Sequence, residues 1–496
     1  MNSRRKFLQL ASAAPLVAAG CANLRPTTSP QSRGGRKGPK KIIHMVADGM
    51  SSGTLSCGNH FSEYTRGRAL SLVKLTRMPG AHQGFMDMRS QDSIVTDSSA
   101  ASSVWGSGVR IPNGKVNQNS EGQKLVTLYE LMQDAGWKRG LVTTTEITHA
   151  TPAGFAACTA SRDFADEIAA QYLERRVDVL MGGGHKFFKA SSRKDKRDLF
   201  AEFKAAGYAV AQTPAELRVM GEQERAIGIF SESHIPYVID VKGGRLKVTE
   251  TPNLAEMTRA ALNQLARHEN FILQVEGGRV DHCCHAMDAA GAAHEMISFD
   301  EALDVCLSFQ REHPETLIVI TTDHGTGNPG LNGMGSEYRD SPRLFTNTTK
   351  IKMSIGELVK EVKKGKTPQE MAARLKEATG YEASTKRMEL LQPYIDEKGT
   401  PLYESYKSDT AALSQVLANY TGVSFTSGSH TSDLVPVISM GPSSEDFQGI
   451  IEGPHIFERY TDYAGIKFRN PAEALVRVAE AGGGRERVEE YWEALT

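Results

Sequence analysis

Three carboxylates in this chain stand where runs of apolar residues stop. Residues 42–47 (IIHMVA) lead into Asp48-Gly49, residues 271–275 (FILQV) into Glu276-Gly277, and residues 317–322 (LIVITT) into Asp323-His324-Gly325. A lone Asp-Gly is ordinary turn punctuation; three strand ends of the same chemistry are more than that. Short buried strands alternating with helices build a parallel sheet, and such sheets gather ligands at the carboxyl ends of their strands. The three carboxylates are therefore expected to converge in space. Carboxylates do not crowd inside a protein without positive charge among them, so metal, and more than one ion, is the expected partner.

Further donors have matching spacing. In residues 276–285 (EGGRVDHCCH), Asp281 and His285 are one helical turn apart and can face one ion; Glu276, at the strand end, is placed for another. Carboxylate and hydroxyl oxygens favour Mg2+, whereas mixed His and Asp favour Zn2+. Asp323-His324 is a second mixed pair, and residues 427–432 (SGSHTS) add His430 in a loop of small residues. Residues 95–105 (VTDSSAASSVW) read as a turn followed by a closely packed helix. A serine there, Ser98, meets free backbone N–H groups and the positive end of the helix dipole, which suits both an attacking oxygen and an incoming phosphate; helix capping is the other role for it. With no G-x-S-x-G and no base of the Ser-His-Asp kind beside it, Ser98 as a nucleophile needs a metal to lower its pKa.

The elements that must position these groups alternate from residue 41 onward. Strand-like runs recur at 140–145, 177–181, 271–275, 316–322 and 434–440, with amphipathic helices at 125–135, 164–175, 254–268 and 296–310. In the last, Met296, Phe299, Leu303, Cys306 and Phe309 keep one face apolar. This pattern predicts a three-layer α/β/α sandwich with a mainly parallel central sheet. Between Gly325 and His430 no clear strand is visible. Residues 354–357 and 367–370 read as capping boxes, the second with Pro at its first helical position. They open helices with Ile355, Leu358, Val359 and Val362, then Met371 and Leu375, on one side. A mainly helical insertion is expected at about 335–425, near the site entrance, with substrate selection, partner contact and plain support all open as its role.

Composition narrows the class. The 496 residues carry 40% hydrophobic and 24% charged residues, ordinary for a globular protein, and a net charge of −1 gives no electrostatic reason to expect nucleic acid as a partner. Beyond the N-terminus no window is apolar enough to predict a membrane span. The N-terminus itself looks like an address. Ser3-Arg4-Arg5-Lys6-Phe7-Leu8 resembles a twin-arginine export signal, and residues 8–20 form a short, Ala-rich apolar stretch. Ala18-Ala19-Gly20-Cys21 has the form of a lipobox, with plain signal cleavage as the alternative. Residues 22–40, rich in Pro, Ser, Gly, Arg and Lys, suit a flexible tether. The chain thus divides into a signal (1–21), a tether (22–40) and a catalytic domain (41–496), exported to the periplasm or anchored at the membrane through a lipidated Cys21. The five remaining cysteines are odd in number and contain no C-x-x-C, so at least one thiol is left free or pairs outside the chain, and Cys283-Cys284 is expected to pack as small apolar residues.

Taken together, VTDSSAAS, THATPAG, SR at 161–162, QVEGGRVDHCCH, TTDHGTGN and SGSHTSD resemble the alkaline phosphatase family, in order and spacing, over almost the whole chain from residue 41. The resemblance implies a phosphomonoesterase that works by two in-line displacements, with Ser98 becoming phosphoserine. It implies one zinc on Asp281, His285 and His430, and a second on Asp48, Asp323 and His324 with Ser98 as its reactive ligand. It implies magnesium on Asp48, Thr151 and Glu276, and Arg162 as the bidentate phosphate clamp, a geometry lysine does not supply. His149 stands where well-known bacterial members have Asp, and His282 where they have Lys; animal members carry His at both. His149 is therefore expected behind the magnesium ligands, holding a metal-bound water, and His282 at the second phosphate contact. Ser99 replaces a usual Ala. The insertion does not match familiar members, so substrate range does not carry across it. Two rivals differ in class: a related phosphodiesterase or sulfatase, and an exported, catalytically dead phosphate-binding relative. Sulfatases need a C-x-P-x-R context, absent here; diesterases typically use Thr and lack this Arg; a dead relative would have lost a ligand. A homodimer is left open.

Overall fold

The computed structural model describes residues 38–220, 223–244, 251–334 and 338–475. The export signal, the lipobox and all but the last three residues of the tether lie outside these. Ten strands form one sheet: β1 (Lys41–Val46), β2 (Ala81–Asp87), β3 (Lys138–Glu146), β4 (Val179–Gly183), β5 (Tyr208–Ala211), β6 (Arg225–Ile229), β7 (Phe271–Glu276), β8 (Thr316–Thr321), β9 (Val435–Met440) and β10 (Gly449–Glu452). Their order across the sheet is β10-β2-β9-β8-β1-β7-β3-β4-β6-β5. Every pairing is parallel except the two made by β9. Strands β8, β1 and β7 are adjacent, with Val46 opposite both Thr321 and Glu276, so the three apolar runs end side by side.

The central strands are apolar at nearly every position because helices cover both faces. Along β1, Ile42 and Val46 join a core with Trp105, Phe155 and Leu317. Ile43 and Met45 join another with Met296, Phe299 and Ile320. That alternation of side chains makes the middle layer of an α/β/α sandwich, as expected. On the first face lie α1 (Ser98–Ser107) and α2 (Ala150–Ala156). Their axes approach closely because glycines face the contact: a Cβ on Gly106 would fall 1.8 Å from the carbonyl oxygen of Gly154. At the carboxyl end of β7 comes α3 (Arg279–His285), followed by the long α4 (Ala289–Glu312) on the second face.

Beyond β8 the chain is helical where the insertion was expected: α5 (Ile355–Lys363), α6 (Pro368–Thr379), α7 (Thr385–Ile395) and α8 (Asp409–Thr421) pack Leu358, Val362, Met371, Leu375, Met388 and Leu413 into a core of their own. Short bridges frame it, Gly330–Leu331 with Val423–Ser424 and Gly325–Thr326 with His430–Thr431. The capping boxes need correction. Ser354 makes no side-chain cap; Asp240 accepts its N–H and Asp288 accepts that of Ile355, both at 2.7 Å. Carboxylates from outside the helix reach its free amides in place of its own serine. Thr367 does accept from the Glu370 N–H, but the Glu370 carboxylate turns to the Lys366 N–H instead of closing the box.

Candidate metal centre

The candidate catalytic and metal-binding residues lie at or beside the carboxyl edge of β8, β1, β7 and β3. Asp48 follows β1 in a turn whose Gly49 has φ +71°, and a Cβ there would meet Asp281 Oδ1 at 2.7 Å; the turn and the site need the same glycine. Glu276 ends β7, opposite Thr143 of β3, and Asp323-His324 follows β8. Ser98 opens α1, where Asp97 caps the helix by accepting the Ala100 N–H at 2.8 Å.

The donors form overlapping groups. Ligand atoms of Asp48, Asp323 and His324 lie within 4.8 Å of one another, as do those of Asp281, His324 and His430, and those of Asp48, His149 and Glu276. His285 Nε2 is 3.0 Å from His430 Nε2 and 3.2 Å from Asp281 Oδ2, so these three side chains lie together, and His324 belongs to two of the donor groups. His149 is nearer than a purely supporting position required, at a separation from Asp48 and Glu276 that fits a shared ion or an intervening water. Ser98 Oγ sits 3.2 Å from His324 Nε2. Arg162 reaches in from beyond α2, its Nη1 donating to Asp97 Oδ2 at 3.1 Å and its Nη2 facing His149 Nε2 at 3.4 Å. The His282 and His149 rings meet edge to face, 5.5 Å between centroids.

Whether these residues fit metal ions is decided by their unmet bonding. Both oxygens of Asp48, Asp323 Oδ2, Glu276 Oε1 and Thr151 Oγ1 are buried without a hydrogen-bond partner. Buried carboxylate oxygens without donors are rare because desolvation is costly, and oxygens of this kind are what hard divalent cations use. The electrostatics agree. Burial, and then the neighbouring Asp323, Asp281 and Glu276, push Asp48 well above the usual carboxylate range. Burial lifts Glu276 to about 7. Burial acts the same way on Asp323 and Asp281, but His324 draws the first down to about 2 and His285 holds the second well below its ordinary value. His285 is lifted to about 9 by Asp281 against its own burial; burial takes His430 down to about 3. Four carboxylates are stable together here only with cations among them.

The imidazoles are aimed by their far nitrogens. Nδ1 of His285 donates to the Gly428 carbonyl at 2.6 Å, and Nδ1 of His430 to the Thr96 carbonyl at 2.9 Å, so each turns its Nε2 inward. Arg279, stacked 3.6 Å over the Tyr237 ring, donates through Nη1 to His282 Nδ1 at 2.6 Å, which leaves Nε2–H of His282 as a donor. Several of these supporting residues carry no clear signal in the sequence. Thr143 and Thr145 both reach Glu276 Oε2; their alternation at the end of a strand was the one hint available. His234, whose ring lies 4.6 Å from that of His282, comes from an irregular loop with no pattern to mark it. The five cysteines from Cys57 onward are buried and unbridged, and Cys283 and Cys284 pack in the apolar core.

Comparison with known proteins gives a consistent answer. The family profile described as alkaline phosphatase matches residues 39–466. The chain is 30% identical over 482 residues to alkaline phosphatase 4 of Bacillus subtilis, covering 94% of this chain and 97% of that one. In structure it is similar to the alkaline phosphatase of Thermus thermophilus, with TM-score 0.82, 29% identity and coverage of 92% and 96%. It is also similar to a cold-active alkaline phosphatase from a psychrophilic Shewanella, with TM-score 0.72, 26% identity and coverage of 86% and 99%.

Proposed function

The chain belongs to the alkaline phosphatase family and is a phosphomonoester hydrolase, and on that premise we propose that it acts through a phosphorylated Ser98 with two zinc ions and one magnesium ion as resident cofactors. The row of partnerless buried oxygens on Asp48, Thr151, Glu276 and Asp323 carries this reading. Asp281, His285 and His430 would hold one zinc, and Asp48, Asp323 and His324 the other, beside Ser98. Asp48, Thr151 and Glu276 would hold magnesium, with His149 behind them; oxygen donors suit that ion and the mixed sets suit zinc. When bound, the ions lower the proton affinity of the Ser98 hydroxyl and neutralise charge on the phosphate and on the leaving oxygen.

The chain's own residues do the rest. Ser98 Oγ, fixed at the first turn of α1, bonds to phosphorus as the bond from phosphorus to the alcohol oxygen breaks. Water then breaks the Oγ–P bond and inorganic phosphate leaves. Arg162 has five N–H donors in a planar fork; Asp97 and His149 engage part of it, and the remainder grips two phosphoryl oxygens. His282, with its Nδ1 taken by Arg279, adds a donor from Nε2. Export by the twin-arginine route, with periplasmic residence or a lipid anchor at Cys21, completes the proposal. Hydrolysis rates on a panel of phosphate monoesters, diesters and sulfate esters, with metal analysis of the same sample, test it. Diesters or sulfates preferred over monoesters, or a fully active preparation without zinc, would sink it.

A further inference from the structure

Among the described residues, the insertion is tied to the two segments beside His285 and His430. From its C-terminal half, Ser405 Oγ accepts the Gly428 N–H at 2.8 Å and the Tyr406 hydroxyl donates to the Phe425 carbonyl at 2.6 Å. Both bonds grip residues 425–430, the loop that carries His430 and whose Gly428 carbonyl orients His285. Ser414 of α8 donates to the Met287 carbonyl at 2.8 Å. Met287 follows α3 two residues after His285 and holds a left-handed φ of +55°, a conformation that a non-glycine residue keeps only when its surroundings enforce it. From the other side, Asp288 caps the first turn of α5. The contact is close enough that a Cβ on Gly428 would lie 2.9 Å from the His285 carbonyl oxygen.

We propose that the insertion is a positioning clamp for the Asp281–His285–His430 zinc site: through Ser405, Tyr406 and Ser414 it fixes the two segments that aim His285 and His430, and so sets how tightly that ion is held. Asp48, Thr151 and Glu276 are held by β1, α2, β7 and β3, outside the reach of these bonds, so magnesium affinity is independent of the clamp. Asp323 and His324 follow β8 directly. The inference rests on the zinc assignment above.

The test uses the full-length holoenzyme. Ser405→Ala combined with Tyr406→Phe removes two bonds of the clamp while leaving every ligand in place, and Ser414→Ala removes the third. Zinc and magnesium contents are measured against chelator-buffered free metal, along with the thermal midpoint of the metal-free protein. Supporting groups of this kind are worth about 10- to 100-fold in metal affinity. The double variant should therefore need at least about tenfold more free zinc to refill one equivalent, with a smaller change at the second zinc and none in magnesium affinity. Lys376→Ala, at a surface ion pair of the insertion, should bind all three ions as the wild type does. Unchanged zinc affinity in both clamp variants overturns the proposal. So does a uniform fall at all three sites together with a lower metal-free midpoint, which would make the bonds merely structural. His285→Ala separates the two levels: if it loses no zinc, the site assignment itself fails, whereas if it loses one equivalent and the clamp variants lose none, only the clamp fails.

Discussion

Arg162 offers the sharpest quantitative handle on the site. If Arg162 clamps phosphate as proposed, replacing it by Ala removes two charge-assisted hydrogen bonds to the phosphoryl oxygens, each worth about 1.5–3 kcal/mol. Water recovers part of that, so a net loss of about 4 kcal/mol of transition-state stabilisation is expected, or about 10³-fold in kcat/KM. Arg162→Lys keeps the charge opposite Asp97 but loses the fork; a loss of about 2 kcal/mol, or about 30-fold, follows. Inorganic phosphate would make the same two contacts in this proposal, so its competitive inhibition constant should weaken in the same order. The fold should not suffer. Asp97 retains the Ala100 N–H at 2.8 Å, the Gly114 N–H at 2.9 Å and the Ser99 hydroxyl at 2.7 Å, so the first turn of α1 stays capped and Ser98 stays in place. Initial rates with an aryl phosphate, phosphate inhibition and thermal midpoints check this together. An Arg162→Ala enzyme within about fivefold of wild type in kcat/KM would refute the clamp, and one that no longer folds would refute the reasoning about Asp97.

Ser98→Ala should abolish most hydrolysis while retaining bound metal, and Ser98 should be the serine that traps phosphate at low pH; label on Ser99 or Ser102 would contradict the assignment. Glu295 is buried, accepts the Val238 N–H at 2.8 Å and is raised by burial to about 7. An acid raised in the fold contributes stability that is fully present below its unfolded pKa and lost as pH rises through the folded one, here from 4.5 to about 7. Glu295→Gln should flatten the fall in denaturant midpoint across that window, and an unaltered slope would count against it. Gly106→Ala forces a methyl onto the Gly154 carbonyl and should cost about 3 kcal/mol of stability by thermal unfolding; a neutral result would mean that α1 and α2 can part without loss. Replacing Arg4-Arg5 by Lys-Lys should strand the protein in the cytoplasm, and Cys21→Ser should free it from membrane fractions if the cysteine is lipidated; a Cys21→Ser form that stays membrane-bound excludes the anchor.

The sheet's centre was legible because its strands are buried on both faces and therefore apolar at nearly every position; Asp48, Glu276 and Asp323 stood out against those runs. Its margins were not. β2 (AHQGFMD) is half exposed, so its pattern is too polar to announce a strand, and β5 and β10 are four residues each. The capping at Ser354 was misread because local spacing cannot reveal that Asp240 and Asp288, far away in sequence, arrive at the same amides. The same limit hid Tyr237, Arg279 and His234 as a group: each is unremarkable alone, and only the fold stacks the guanidinium on the phenol and turns it toward His282. The ligands announced themselves through their types, and their supports through geometry alone.

The place of β1 has a consequence for how the protein comes into being. It is the first of the described strands to be made, yet it is sandwiched between β7 and β8, with Lys41 pairing to Phe271 on one side and Thr316 on the other. A nascent chain therefore cannot close the middle of its sheet until residue 321 is free of the ribosome, and pairings of such long range form slowly. Asp48 lacks Asp323 and His324 until then. Metal capture is thus a late event, after the polypeptide is largely synthesised, and the ions seal a closure that chain entropy has delayed.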